Sequence, residues 1–147
     1  MNQQIDTEDT PVTARMLKDA ERMAALPRHF GRQGLRVEQS VYGVMDRLTK
    51  EYRGGYWEYY ELSNGGFYMA PKTDEEFTFS VAGNGYGGRM SADAAGIAAC
   101  LFVFSSLAFA LNSVNPTACE KVAEHYHLLI DFARNHAEAR KIFSAIN

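Results

Sequence analysis

The stretch VAGNGYGGRMSADAAGIAA, residues 81–99, decides how this chain folds. Gly83, Gly85 and Gly88 match the spacing G-x-G-x-x-G, with an alternating run before them and an apolar run after. In a parallel βαβ unit such a loop cradles a dinucleotide, another strand follows the helix, and an acid about twenty residues on holds the ribose. In an antiparallel fold the same glycines permit a hairpin, a bulge and a close entry into a helix. The downstream residues favour the second reading. The apolar run leads through Asn115-Pro116 into another helical pattern, not into a strand, and residues 103–113 contain no acid. No Lys-Ser or Lys-Thr follows the glycines, so the loop is not a P-loop. A small nucleotide-binding enzyme using residues 83–88 remains the alternative, and no cofactor is expected.

Upstream, the hydrophobic period is two. Phe77, Phe79 and Val81 alternate with Thr78, Ser80 and Ala82, which predicts a strand with one buried face. Residues 56–62 and 67–70 form an aromatic pair of strands around Ser63-Asn64-Gly65-Gly66, whose residues suit a tight hairpin. Pro71 ends the second of them, and residues 86–90 add a short fourth strand. On the first, Trp57, Tyr59 and Glu61 share one face, and Tyr56, Glu58, Tyr60 and Leu62 the other.

Helical spacing surrounds this block. Thr10-Pro11 resembles a cap and first turn, followed by Val12, Met16, Ala20 and Met23, with Pro27 ending the helix. Gly31 and Gly34 mark a loop. A second helix carries Val37, Val41, Val44, Met45, Leu48 and Tyr52 on one stripe, and Gly54-Gly55 stops it. Residues 94–111 are nearly all apolar and sit at the length threshold for crossing a membrane. Their alanines and serines, and the lack of a basic cluster at either flank, predict instead a central helix buried on all sides, with a membrane anchor as the alternative. Asn115-Pro116 opens the next helix, and Asn135 with Glu138 resembles a capping box before the last. The expected fold class is α+β: a single compact domain over residues 11–147, with an antiparallel β-meander of three to four strands packed on several α-helices, one central and apolar. Residues 1–10 are expected to form a flexible arm.

Composition narrows the function. The chain has 147 residues, 46% of them hydrophobic and 22% charged, as in an ordinary globular domain. The start is polar and then acidic, unlike a secretory signal, so the expected location is cytoplasmic. No basic stripe offers itself to nucleic acid. Duplex DNA carries a charge about every 1.7 Å, so imitating one turn needs roughly twenty negative charges. Eighteen acids set against fifteen bases, a net charge of −3, do not supply them.

Catalytic chemistry finds little footing. Glu58 and Glu61 are three apart on a strand and point to opposite faces, so they form no acid–base pair. His125 and His127 are two apart on a helix and share no face, although His127 can meet Asp131 one turn on. No metal site is expected. There is no G-x-S-x-G elbow. Ser63 and Ser91 suit turn and cap positions, and Cys100 and Cys119 read as inert core thiols. The hairpin aromatics carry more information, because Tyr and Trp dominate protein interfaces. A face presenting Tyr56, Glu58, Tyr60 and Asn64 is the expected partner-binding surface. A sheet merely covered by helices on both faces would need the same residues.

Longer blocks carry a resemblance. EYRGGYWEYYELSNGGFYMAP, residues 51–71, and VAGNGYGGRMSADAAGIAACLFVFSSLA, residues 81–108, resemble two successive blocks of the ArdB/KlcA family of antirestriction proteins. VYGVMDRL, residues 41–48, and HYHLLIDFARNHAEARKIFSAI, residues 125–146, are similar to further parts of it. The resemblance implies a compact mixed α/β fold with an antiparallel sheet. It implies relief of type I restriction–modification of incoming mobile DNA, carried on plasmids and genomic islands, without DNA mimicry. It brings no catalytic constellation. The implied partner is the type I enzyme or a host protein controlling it, with no strong direct DNA binding and the oligomeric state open.

Overall fold

The computed structural model describes residues 10–147; the expected arm at residues 1–10 lies almost wholly outside them. Five strands and five α-helices are described. They run β1 (Ala14–Met16), α1 (Asp19–Phe30), α2 (Gly34–Leu48), β2 (Trp57–Leu62), β3 (Phe67–Pro71), β4 (Glu76–Val81), β5 (Tyr86–Ser91), α3 (Ala92–Leu111), α4 (Pro116–Ala133) and α5 (Ala139–Ile146). A short 3-10 turn, Gly31–Gln33, joins α1 to α2.

All strand pairing is antiparallel, and the four expected strands form. They are divided between two sheets, β1-β2-β3 and β4-β5. The glycine loop is the β4–β5 turn. Val81 pairs with Tyr86 across it, and Gly85 has φ +74, a conformation costly to any residue with a Cβ. Each hairpin turn is pinned by an asparagine. Asn64 Oδ1 accepts the Gly66 N–H and Asn84 Oδ1 the Tyr86 N–H, while their amides donate to the carbonyls of Leu128 and Ala145. One residue type thus shapes each turn and docks it on a helix.

α3 is the centre. Its N-terminal half is buried on all sides, and it crosses β3 so closely that Gly96 faces the backbone of Met69 and Ala70. All five residues of β3 are buried. The expectation of complete burial holds only for that half. Ser105, Ser106, Phe109 and Ala110 on the later turns are exposed, because no element among the described residues covers that side. α3 is long and apolar enough to cross a membrane, and 67% of its apolar window is buried inside the protein.

Several boundaries differ from expectation. Residues 14–16 form a strand, not a helix, because their backbone pairs with β2. Thr13 and Ser63 extend the pairing through two further hydrogen bonds. Pro27 lies inside α1, which ends only at Phe30. The carbonyl it leaves unpaired is that of Met23, whose side chain is 83% exposed, so water is at hand. α2 stops at Leu48, before Gly54-Gly55, where Thr49 bridges to Phe79 of β4. The expected capping box at Asn135 does not form. Glu138 sits at the start of α5 without capping it and reaches across to Ser91.

Candidate functional site

A polar network surrounds the N-terminus of α3. Ser91, the last residue of β5, caps the helix by accepting the Ala94 N–H at 3.1 Å. Its own N–H donates to Glu138 Oε1 at 3.0 Å, and its hydroxyl donates to Glu138 Oε2. Asp93, in the first turn, sits where the helix dipole favours a negative charge. It accepts the Tyr68 hydroxyl at 2.8 Å and meets His136 Nε2 at 2.8 Å. His136 Nδ1 accepts the Glu138 N–H, so Nε2 carries the proton and donates to Asp93. Burial opposes the charge on Glu138, but the hydrogen bonds from Ser91 outweigh it and hold the carboxyl below its usual range. Burial, then the Asp93 charge, pushes the Tyr68 hydroxyl far up. This is not a nucleophilic triad. Serine contacts a carboxylate, and the histidine lies between an aspartate and a backbone amide, with no path to take the serine proton. The arrangement locks α5, β3 and α3 together.

Beside it lies the Tyr60–Tyr68 face of the β2–β3 hairpin, which α3 and α4 cover over β3. Tyr60 stacks on Tyr68 with centroids 4.7 Å apart, and Tyr68 stacks on Phe132 at 5.5 Å. Burial and then the charges of Asp93 and Glu58 raise the Tyr60 hydroxyl, so both carboxylates lie near it. Glu58 meets Lys72 Nζ at 3.8 Å. Glu61 takes a different set of partners: Arg28 donates to it at 2.7 Å and Arg15 at 3.3 Å, and these cations hold its carboxyl low. The two glutamates are thus separate, as their spacing implied.

Of the four expected surface residues, the fold brings Glu58 and Tyr60 together. Asn64 is half-buried at the hairpin tip, with its amide engaged. Tyr56 departs from the strand alternation and joins Tyr59. The Arg22 guanidinium lies 4.5 Å from the Tyr56 ring and 4.1 Å from the Tyr59 ring. Gly54 and Gly55, at φ +83 and +104, give the chain the freedom to turn there. Tyr59 donates to Glu38 at 2.6 Å, and Tyr42 donates to the same oxygen at 3.2 Å. Arg22 and Glu38 carry no local signal in the sequence, since each reads as the wet side of an amphipathic helix. Only the meeting of α1, α2 and β2 reveals them.

The remaining candidates are plainly placed. His127 does not pair with Asp131, which instead accepts from Arg134 at 3.2 Å. Cys100 is buried, and burial pushes its thiol up to about 12; Cys119 is only half-buried. His29 and His125 are buried with ring centroids 5.1 Å apart, and burial pushes His125 down to about 4. No group of three or more His, Cys, Asp or Glu side chains is placed to hold a metal among the described residues.

Comparison with known proteins places this arrangement. Residues 50–147 match the antirestriction protein family. Antirestriction protein KlcA of Escherichia coli is 44% identical over 144 residues, covering 97% of this chain and 100% of that protein. The chain belongs to the antirestriction protein family. Another relative, the uncharacterized protein YfjX of E. coli K12, is 39% identical over 88% of this chain and 84% of its own length. A solved structure overlays with a TM-score of 0.84 at 45% identity, covering 94% of this chain and 96% of that one. It comes from work describing a novel fold for the KlcA and ArdB proteins, with antirestriction activity against type I DNA restriction systems in vivo but not in vitro. The antirestriction family match includes β2–β5 and α3–α5, and so the network at Ser91 and the hairpin face.

Proposed function

We propose that this antirestriction protein relieves type I restriction of incoming DNA by contact with a protein, not by imitating DNA and not by a chemical step. Charge carries the mechanism. The net charge is −3, and the carboxylates of Glu61, Asp93 and Glu138 are tied to partners within the fold. Such a surface cannot reproduce the regular phosphate charge of a duplex. The solved relative acts in cells and not in the purified reaction, which supports a cellular component beyond the restriction enzyme and its DNA. The contact surface is the hairpin presenting Glu58 and Tyr60, with Tyr56 at its margin and Asn64 holding its tip.

The test is plating of unmodified phage on a type I host expressing Glu58→Ala with Tyr60→Ala. The Glu58 side chain is mostly buried and Tyr60 is half-buried, so thermal melting must first show a folded chain. Loss of relief by the folded variant is the expected result. Full relief would remove this face from the contact.

A further inference from the structure

α1 and α2 meet at a corner that includes Pro27, Gly31 and Arg32. Two cavities share these residues, one of about 480 Å³ on the β2 side and one of about 330 Å³ beside α4, and together they make one groove. Its basic residues are Arg22, Arg28, Arg32 and Lys121; its acid is Glu38. Glu38 already accepts two tyrosine hydroxyls, and Arg28 is paired with Glu61. Arg32 and Lys121 form no salt bridge among the described residues. The Arg22 guanidinium lies over the Tyr56 and Tyr59 rings, yet its Nη1 is buried without a hydrogen-bond partner among the described residues. A buried donor left unpaired is costly and is rare in finished folds. Glu38 offsets one of these cations, and the groove still carries an excess of positive charge on a chain that is acidic overall. Its lips are apolar: Met23 is 83% exposed and Leu35 67%.

We propose that the groove receives an acidic segment of a protein partner. Its carboxylates lie against Arg22, Arg32 and Lys121, and one apolar side chain lies between Met23 and Leu35. A guanidinium fixed by two rings presents its fork ready-made to a carboxylate. A phosphate polymer would use the charge but not the lips, and three uncommitted cations give it only weak, salt-sensitive affinity. The proposal rests on the protein-contact reading and names the chemistry of the partner.

The test is a fluorescence titration of the full chain with three labelled probes. These are a short peptide of glutamate and leucine, its glutamine analogue, and a single-stranded oligonucleotide of equal charge. The acidic peptide should bind, and the glutamine analogue should bind about tenfold more weakly or worse. Arg32→Glu with Lys121→Glu, both exposed positions, should weaken the peptide by a similar factor. Leu35→Ser should weaken the peptide and leave the oligonucleotide unchanged. Absent peptide binding, equal binding of the analogue, an unaffected charge-reversed chain, or tighter oligonucleotide binding would each overturn the groove. Plating separates the two readings. If wild type relieves restriction and the charge-reversed chain does so equally, the groove fails and the function stands. If wild type gives no relief, the function fails and the titration alone judges the groove.

Discussion

His125 sets how this protein meets acid. It lies among Phe30, Phe104 and His29, and burial holds it neutral down to about 4. His29 is lowered too, by burial and then by Arg28. The unfolded chain takes up these protons near 6.5, so stability is complete above that pH and falls as pH drops toward 4. At 1.36 kcal/mol per pKa unit, His125 accounts for about 3 kcal/mol of that fall. Glu51, drawn to about 2 by hydrogen bonds from Thr49 and Thr78, acts in a lower window, between the ordinary carboxylate range and about 2. Urea midpoints between pH 7 and 4.5 should drop for wild type and drop less for His125→Gln; equal slopes would contradict the assignment. Gly96 gives a second test through its sign alone. A Cβ there would lie 2.4 Å from the Met69 carbonyl oxygen and 2.5 Å from Ala70 Cβ. In an open helix glycine-to-alanine stabilises by up to about 1 kcal/mol. Here overpacking should cost about 1–3 kcal/mol and lower Tm. A raised Tm would mean that α3 does not lie so close to β3.

At the scale of elements, the join between α3 and α5 is one hydrogen-bonded unit. Ser91→Ala removes the cap of α3 and both groups' contact through the hydroxyl, at about 1–2 kcal/mol. Glu138→Ala should cost a similar amount, and the double variant less than the sum, because both changes delete the same bond. A double-mutant cycle by urea unfolding measures this, and strict additivity would contradict the join. Elements were legible where one residue's neighbours decide its state. β4 alternates because one face is buried, and the β4–β5 glycines lack the strand and acid that a nucleotide site needs. β1 was not legible, since Ala14–Met16 become a strand only by pairing with β2, some forty-odd residues away. Pro27 misled because its missing hydrogen bond falls on an exposed turn. Glu138 carries a capping pattern for the wrong helix end, and its true partner, Ser91, is 47 residues distant. The candidate site divides the same way. Tyr60 and Glu58 could be read from alternation, but Arg22 and Glu38 become visible only once three elements converge.

At the scale of the whole molecule, one apolar helix organises everything else. β3 lies on it, α4 and α5 pack beside it, and its capped end anchors the network near the hairpin face. Overexpressed protein should therefore fractionate as soluble; recovery in the membrane pellet would mean that the exposed later turns of α3 engage lipid. The Glu58–Tyr60 face and the α1–α2 groove, which reaches Tyr59, lie on opposite sides of β2. The central claim is relief of type I restriction through protein contact. Its most direct test is the plating efficiency of unmodified phage on hosts with a type I system, with a type II system and with none, each with and without this protein. Plating on the type I host should rise toward that of modified phage while the type II host is unchanged. A folded, soluble protein that leaves type I restriction untouched, or that relieves type II restriction equally, would contradict the account.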